Sequence, residues 1–192
     1  MALTLKIGQD EFPENPRDWD GNLGTMVCFH KRYNLGDGET HLHPGLFEGW
    51  EEVEKHLVQE EEAAIILPVS LYDHSGLSMS CGVASGWDCG QVGFIYTTRK
   101  KILETFGGKI LTQKKKSKAV ECLENEVKLY DMFLRGEVYA YDIVDEDGES
   151  VESCSGFFGR EDAEEQAQRS LKYHQSIINY RNRVRELWDI IN

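Results

Sequence analysis

The chain has 192 residues, a formal net charge of −13 and a hydrophobic content of 40%. That apolar content is enough for a folded core, and the charge argues against general affinity for nucleic acid or anionic lipid because like charges repel. No apolar run reaches the roughly 18 residues of a membrane span, and the N-terminus lacks the pattern of a signal peptide. The sequence therefore predicts an acidic, soluble, cytoplasmic protein with one domain over 1–192.

The first half of the chain predicts two strands and one helix. Short β-type runs at 3–7 and 25–30 flank a loop rich in proline and glycine at 8–24. A second such loop covers 34–45. Apolar residues at helical spacing then predict an amphipathic helix over 46–60, namely Leu46, Trp50, Val53 and Leu57.

The middle of the chain predicts two buried strands, at 63–71 and 91–97, followed by two helices. Thr98 is a suitable N-cap for a short helix that ends at Gly107. Apolar residues at helical spacing predict a longer helix that begins near Val120 and ends at Gly136.

The last third of the chain predicts a hairpin and a long helix. The β-type runs 137–144 and 150–158 are joined through Asp147-Gly148, which is a strong turn signal. A helix follows over 161–191, long enough for its exposed half to bind a partner or a second copy of the chain. Mixed strands followed by helix, hairpin and helix predict the α+β class, as a compact domain with a mixed or antiparallel sheet.

The charge is uneven along the chain. Residues 98–120 carry eight Lys or Arg and only one acidic residue, whereas the segments on both sides are strongly acidic. This basic island, from Arg99 to Lys118, is typical of a solvated helix start and loop that neutralise nearby acids. A contact patch for an acidic partner is the alternative interpretation.

Metal and cofactor motifs are weak. His41 and His43 form an H-x-H pair that could chelate zinc in a strand, but they fall in a loop without diagnostic spacing. Five cysteines without a C-x-x-C pair favour idle thiols in a reducing compartment. The glycines match neither a P-loop nor a dinucleotide fingerprint, so no cofactor and no metal are predicted.

An enzymatic alternative uses residues around a short polar segment. Asp73 and His74 precede a serine, and Cys89 lies between Asp88 and a glycine. A thiol- or metal-dependent hydrolase would need these side chains, with His30, to converge in space. Adjacency in sequence is not such convergence, and a turn explains the segment more simply.

Five segments together resemble a family of small proteins encoded by phages, plasmids and integrative elements. They are 14–37, 67–80, 87–96, 130–144 and 153–159, which together make up 70 of the 192 residues. The resemblance implies a gene on a mobile element and assigns no catalytic residue. The family is expected to have serine where this chain has Cys89, which weakens the thiol hypothesis.

Mobile-element context and charge together predict a binding protein of the anti-defence type, rather than an enzyme. Such a protein would inhibit a host defence nuclease or guide-RNA complex, as anti-CRISPR and anti-restriction proteins do, by occupying its basic nucleic-acid channel. Direct nucleic-acid binding and membrane binding are not expected, whereas a homodimer through the last helix is allowed. The predicted partner-binding residues are Glu48, Glu51, Glu52, Glu54, Glu60, Glu61, Glu62, Asp145, Glu146, Asp147, Glu149, Glu161, Asp162, Glu164 and Glu165.

Overall fold

In the computed structural model, which describes residues 2–38, 42–74, 76–84 and 86–191, the chain forms two antiparallel sheets and four α-helices. Contacts group the chain into a terminal unit, residues 1–14 with 136–192, and a central unit, residues 15–135. The elements in chain order are β1 (Thr4–Gln9), β2 (Thr25–Cys28), α1 (Trp50–Gln59), β3 (Ala63–Asp73), β4 (Leu77–Cys81), β5 (Cys89–Thr98), α2 (Arg99–Phe106), α3 (Gln113–Leu134), β6 (Val138–Val144), β7 (Ser150–Phe158) and α4 (Arg160–Ile191).

The central unit is a four-stranded sheet, ordered β2-β5-β3-β4, with helices on both faces. Alternation along β5 sends Phe94 to one face and Ile95 to the other, as the two-residue period of a strand requires. Phe94 packs with Val53 and Leu57 of α1, while Ile95 packs with Leu123 of α3. Helix α1 is therefore held on the sheet by one face, and its other face is left to solvent.

Close packing in this sheet depends on one glycine. A side-chain carbon at Gly93 would lie 1.9 Å from the carbonyl oxygen of Val27, on the neighbouring strand β2. The antiparallel pair β2–β5 places Gly93 directly opposite Cys28. Because no non-glycine residue fits there, this position requires glycine.

The terminal unit is a three-stranded sheet, ordered β1-β6-β7, covered on one face by α4. Ala167 of the helix packs with Tyr141 and Ile143 of β6, and these three residues are buried. Past Ile178 every described residue of α4 is exposed. The predicted homodimer through this helix stays a prediction.

The α+β class, the hairpin and the long C-terminal helix are confirmed, and both sheets are antiparallel. Assignment of the whole chain to one domain stays a prediction. Strand β4 is a correction, because the sequence predicts no strand at 77–81, whereas these residues pair with β3.

Two helix starts were misplaced. Helix α1 begins at Trp50 instead of residue 46, because Pro44–Leu46 forms a separate 3-10 turn and Phe47 is extended. Helix α3 begins at Gln113, seven residues before the predicted start, because the Thr112 hydroxyl accepts a hydrogen bond from the Lys115 amide and caps it. The lysines at 114–118 therefore lie in the first turns of a helix rather than in a loop.

Candidate partner-binding site

Helix α1 presents a dense acidic face. Val53 and Leu57 are buried against the sheet, and the three glutamates on the helix itself, Glu51, Glu52 and Glu54, are exposed. Six of the seven predicted glutamates in this segment are exposed, and no ion pair joins them to a lysine or arginine in the part of the chain that the structure describes. We define the α1 acidic face by these six residues, Glu48, Glu51, Glu52, Glu54, Glu60 and Glu62.

The seventh glutamate has an internal partner. Glu61 is half-buried, and its Oε2 accepts a hydrogen bond of 3.3 Å from the hydroxyl of Tyr96. Burial, together with the negative charge of Glu61, raises the pKa of Tyr96 to about 12. Glu61 therefore links the segment after α1 to strand β5.

The start of α1 is fixed by one of its own carboxylates. The backbone N–H of Glu48 donates to Glu52 Oε2 at 2.8 Å, while Gly49 occupies the N-cap position without a side-chain cap. Glu51 and Glu52 also place negative charge in the first turn, where the helix dipole is positive. The acidic residues thus stabilise the helix that carries them.

An aromatic cluster adjoins this end of α1. The rings of Phe29 and Trp50 are almost parallel, with centroids 6.0 Å apart, and the ring of Phe47 stacks on Phe29 at 6.3 Å. Trp50 also meets Phe94 edge-on at 5.8 Å, which ties it to the sheet core. A cavity of about 180 Å³ opens between the three rings, with Glu48 and the buried Val53 among the residues that line it. We call it the aromatic pocket, defined by Phe29, Phe47 and Trp50.

Two of the four predicted acidic side chains of the β6–β7 turn, those of Asp145 and Glu146, have local hydrogen-bond partners. Asp145 Oδ1 accepts hydrogen bonds from the backbone N–H groups of Asp147 and Glu149, both at 3.0 Å. The backbone N–H of Ala2 donates to the carboxylate of Glu146, which lowers the pKa of that carboxylate. The side chains of Asp147 and Glu149 are exposed.

The predicted acidic residues of α4 are partly neutralised. Glu164 pairs with Arg160 at 2.7 Å, and Glu165 pairs with Arg169, each across one helical turn. Glu161 and Asp162 are exposed in the first turn. The α1 acidic face is therefore the predicted surface with the least internal compensation.

The residues of the hydrolase hypothesis fall into separate pairs. Arg32 binds the carboxylate of Asp73, and His74 Nδ1 lies 3.2 Å from the carboxylate of Asp88. His30 Nδ1 accepts from the backbone N–H of Tyr33 at 3.3 Å. Within the described ranges, no hydrogen bond joins Cys89 to a histidine, so no nucleophile–base pair is formed there.

The histidine pair is only partly covered by the structure. His41 lies outside the described residues, and His43 is exposed. No group of three or more His, Cys, Asp or Glu side chains suited to a metal occurs among the residues that the structure describes. Over the same residues, no helix combines the length and the apolar character needed to cross a bilayer.

The basic island spans α2, the following loop and the start of α3. Lys115 Nζ donates to the backbone carbonyl oxygens of Gly107 and Ile110, and Arg99 donates to that of Lys109. These two cations hold the loop between the helices. The other basic side chains of the island are exposed, apart from the half-buried Lys101.

A buried ionic cluster in the central unit was missed by the sequence analysis. The guanidinium of Arg17 binds Asp37 at 2.7 Å and Glu126 at 2.8 Å, and it also donates to the carbonyl oxygen of Gly24. Burial lowers the pKa of Arg17, but the two carboxylates outweigh this and raise it. Arg17 lies in a 3-10 turn at Pro16–Asp18, Asp37 in a loop and Glu126 in α3, so no local motif marks them.

A second polar cluster lies in the terminal unit. Glu152 accepts hydrogen bonds from Tyr141 Oη at 2.7 Å and from the Ser170 hydroxyl, and its Oε2 lies 2.7 Å from His174 Nε2. The hydrogen bonds from Ser170, Tyr141 and His174 lower the pKa of Glu152 to about 2. Ser170 and His174 are one helical turn apart on α4, which is the only sequence signal for this cluster.

Comparisons of the chain with models of known families, with curated proteins and with solved structures gave no match.

Proposed function

We propose that this chain is an acidic binding protein of a mobile element, which inhibits a host nucleic-acid-handling defence complex by occupying its basic surface. The target would be a restriction nuclease or a CRISPR effector. The carboxylates on α1 and at its two ends would compete with the phosphates of DNA or guide RNA for the same lysine and arginine side chains.

The observation that carries this proposal is the α1 acidic face. Its six glutamates are exposed and without ion pairs in the described residues, although they lie within 15 residues of sequence. Like charges at this density repel one another, and a basic surface would relieve that repulsion. The mobile-element context comes from the sequence resemblance.

The first test is capture of a partner from host lysate by the tagged full chain, washed at low and at high salt and identified by mass spectrometry. We expect a nuclease or guide-RNA complex that is retained at low salt and released as salt rises, because salt screens exposed charges. Purified partner and chain are then combined in a DNA-cleavage assay, in which the chain should inhibit.

A charge-neutralising variant locates the surface. Glu51→Gln, Glu54→Gln and Glu60→Gln together should weaken partner binding by about tenfold at low salt and reduce the salt dependence, given roughly 0.2–1 kcal/mol per exposed charge pair. The control changes the same number of exposed glutamates elsewhere on the central unit, as Glu104→Gln, Glu121→Gln and Glu124→Gln. Equal loss in both variants would reject the α1 acidic face, and no nuclease or guide-RNA complex at either salt would reject the proposed function.

A further inference from the structure

The aromatic pocket differs from the rest of the α1 surface, because it leaves aromatic ring surface open beside carboxylates. Phe29, Phe47 and Trp50 are half-buried rather than buried, although each is a large apolar side chain. Phe29 stacks on both Phe47 and Trp50, and an open groove of about 180 Å³ remains beside the three rings.

The size of the pocket restricts what it can hold. Pockets for drug-sized molecules usually measure about 300–1,000 Å³, so this cavity is below that range. It corresponds to about six water molecules at ~30 Å³ each. One large side chain from a partner fits this volume.

The chemistry of the lining favours a cation. Aromatic faces attract Lys and Arg through the negative charge of the ring surface. Glu48 lines the pocket, and the carboxylate of Glu52 is held next to it by the 2.8 Å hydrogen bond from the Glu48 amide. The helix dipole places about half a positive charge at the N-terminus of α1, which repels a cation. The three negative charges of Glu48, Glu51 and Glu52 exceed that repulsion. His56 meets the edge of the Phe47 ring at 5.4 Å.

From these observations we infer that the aromatic pocket is the specificity site of the α1 acidic face and takes one arginine side chain of the basic partner. Arginine is preferred to lysine because its planar guanidinium stacks on aromatic rings and can bind a carboxylate through two hydrogen bonds at once. The inference rests on the proposed function, since it assumes a basic partner. It adds an anchor residue to an interface that charge alone would leave non-selective.

The test uses two labelled peptides of nine residues, one of arginine and one of lysine, with the full chain at low salt. Fluorescence anisotropy gives the two affinities. We expect the arginine peptide to bind on the order of threefold or more tightly than the lysine peptide, and its addition should shift the indole N–H resonance of Trp50 in an ¹⁵N spectrum.

Two pocket variants and one control separate the ring contribution from charge. Phe47→Leu and Trp50→Leu keep an apolar side chain and remove the aromatic face, so arginine-peptide affinity should fall about three- to tenfold while lysine-peptide affinity changes little. Trp87→Leu is the matched control, because Trp87 is a fully exposed aromatic residue of the same unit and does not line the pocket. Circular dichroism melts show whether each variant is folded. The shift of the Trp50 resonance in the wild-type chain tests arginine binding at the pocket without any variant.

The outcomes distinguish the pocket from the acidic face. If the two peptides bind equally and the pocket variants leave both affinities unchanged, the inference is wrong while the α1 acidic face stands. In that case Glu51→Gln, Glu54→Gln and Glu60→Gln should still weaken both peptides alike. Binding of neither peptide would overturn the inference and the proposed function together.

Discussion

Glu152 Oε2 and His174 Nε2 lie 2.7 Å apart and join strand β7 to helix α4. The Tyr141 hydroxyl and the Ser170 hydroxyl donate to the other oxygen of the same carboxylate. One side chain therefore connects β6, β7 and α4 of the terminal unit. The apolar contact of α4 with the sheet consists of the buried Ala163 and Ala167 and the half-buried Leu171, and this polar cluster adds hydrogen bonds to it.

Replacement of this carboxylate should loosen α4. We expect Glu152→Gln to lower the free energy of unfolding by about 1 kcal/mol, a modest value because the side chain is 36% exposed and solvent screens its charge. Urea unfolding followed by circular dichroism measures the change. Glu149→Gln, in the exposed turn of the same hairpin, should have no measurable effect, and an equal loss in both variants would contradict the assignment.

The same carboxylate predicts a dependence of stability on acid. Hydrogen bonds in the folded state lower the pKa of Glu152 to about 2, from an ordinary value of 4.5. Its contribution is therefore fully present above about pH 4.5 and is lost as the pH falls toward 2. Urea titrations at several pH values should show a steeper loss between pH 4.5 and 2 in the wild type than in Glu152→Gln. Parallel curves would show that Glu152 does not carry this effect.

The buried Arg17 cluster should be far more sensitive than an exposed ion pair. Arg17→Ala removes the cation from two carboxylates, those of Asp37 and Glu126, and we expect a loss of about 3 kcal/mol, since breaking a buried pair leaves uncompensated charge. Arg32→Ala is the comparison, because Arg32 is 66% exposed where it pairs with Asp73, and it should cost less than about 1 kcal/mol. Urea midpoints that shift equally in the two variants would refute the distinction.

The thiols should differ sharply in reactivity. Burial, and secondarily the charge of Asp37, raises the pKa of Cys28 to about 12, and burial raises that of Cys81 to about 11. Cys154 is exposed. With a thiol-specific reagent at pH 8 and mass spectrometry, we expect labelling of Cys154 in the folded protein and labelling of Cys28 only after unfolding. Rapid labelling of Cys28 in the native protein would contradict its raised pKa.

Gly93 should tolerate no side chain. An added methyl group would overlap the Val27 carbonyl oxygen, so Gly93→Ala should cost about 3 kcal/mol or prevent pairing of β2 with β5. Gly90→Ala, on the same strand, meets nothing within 4 Å and should cost less than about 1 kcal/mol. Thermal unfolding compares them, and similar melting temperatures for the two variants would be evidence against the close approach.

The features that could be predicted from sequence are those with local causes. Thr98 caps α2 through the backbone N–H of Lys101, as its position before a helical segment predicts. The hairpin β6–β7 follows from two β-type runs around Asp147-Gly148, and the acidic face of α1 follows from the spacing of Val53 and Leu57. Each signal lies within a few residues of the structure that it specifies.

The contacts that only the tertiary structure determines join residues far apart in the chain. Arg17 and Glu126 are 109 residues apart in sequence, and Glu152 and His174 are 22 residues apart. Neither contact can be predicted from residue spacing. The aromatic pocket needs β2's continuation at Phe29 to lie beside the start of α1 at Trp50. Composition and periodicity determine which elements form and which faces are acidic. The pairing of charges and rings between elements depends on packing, because burial and distance are properties of the folded chain.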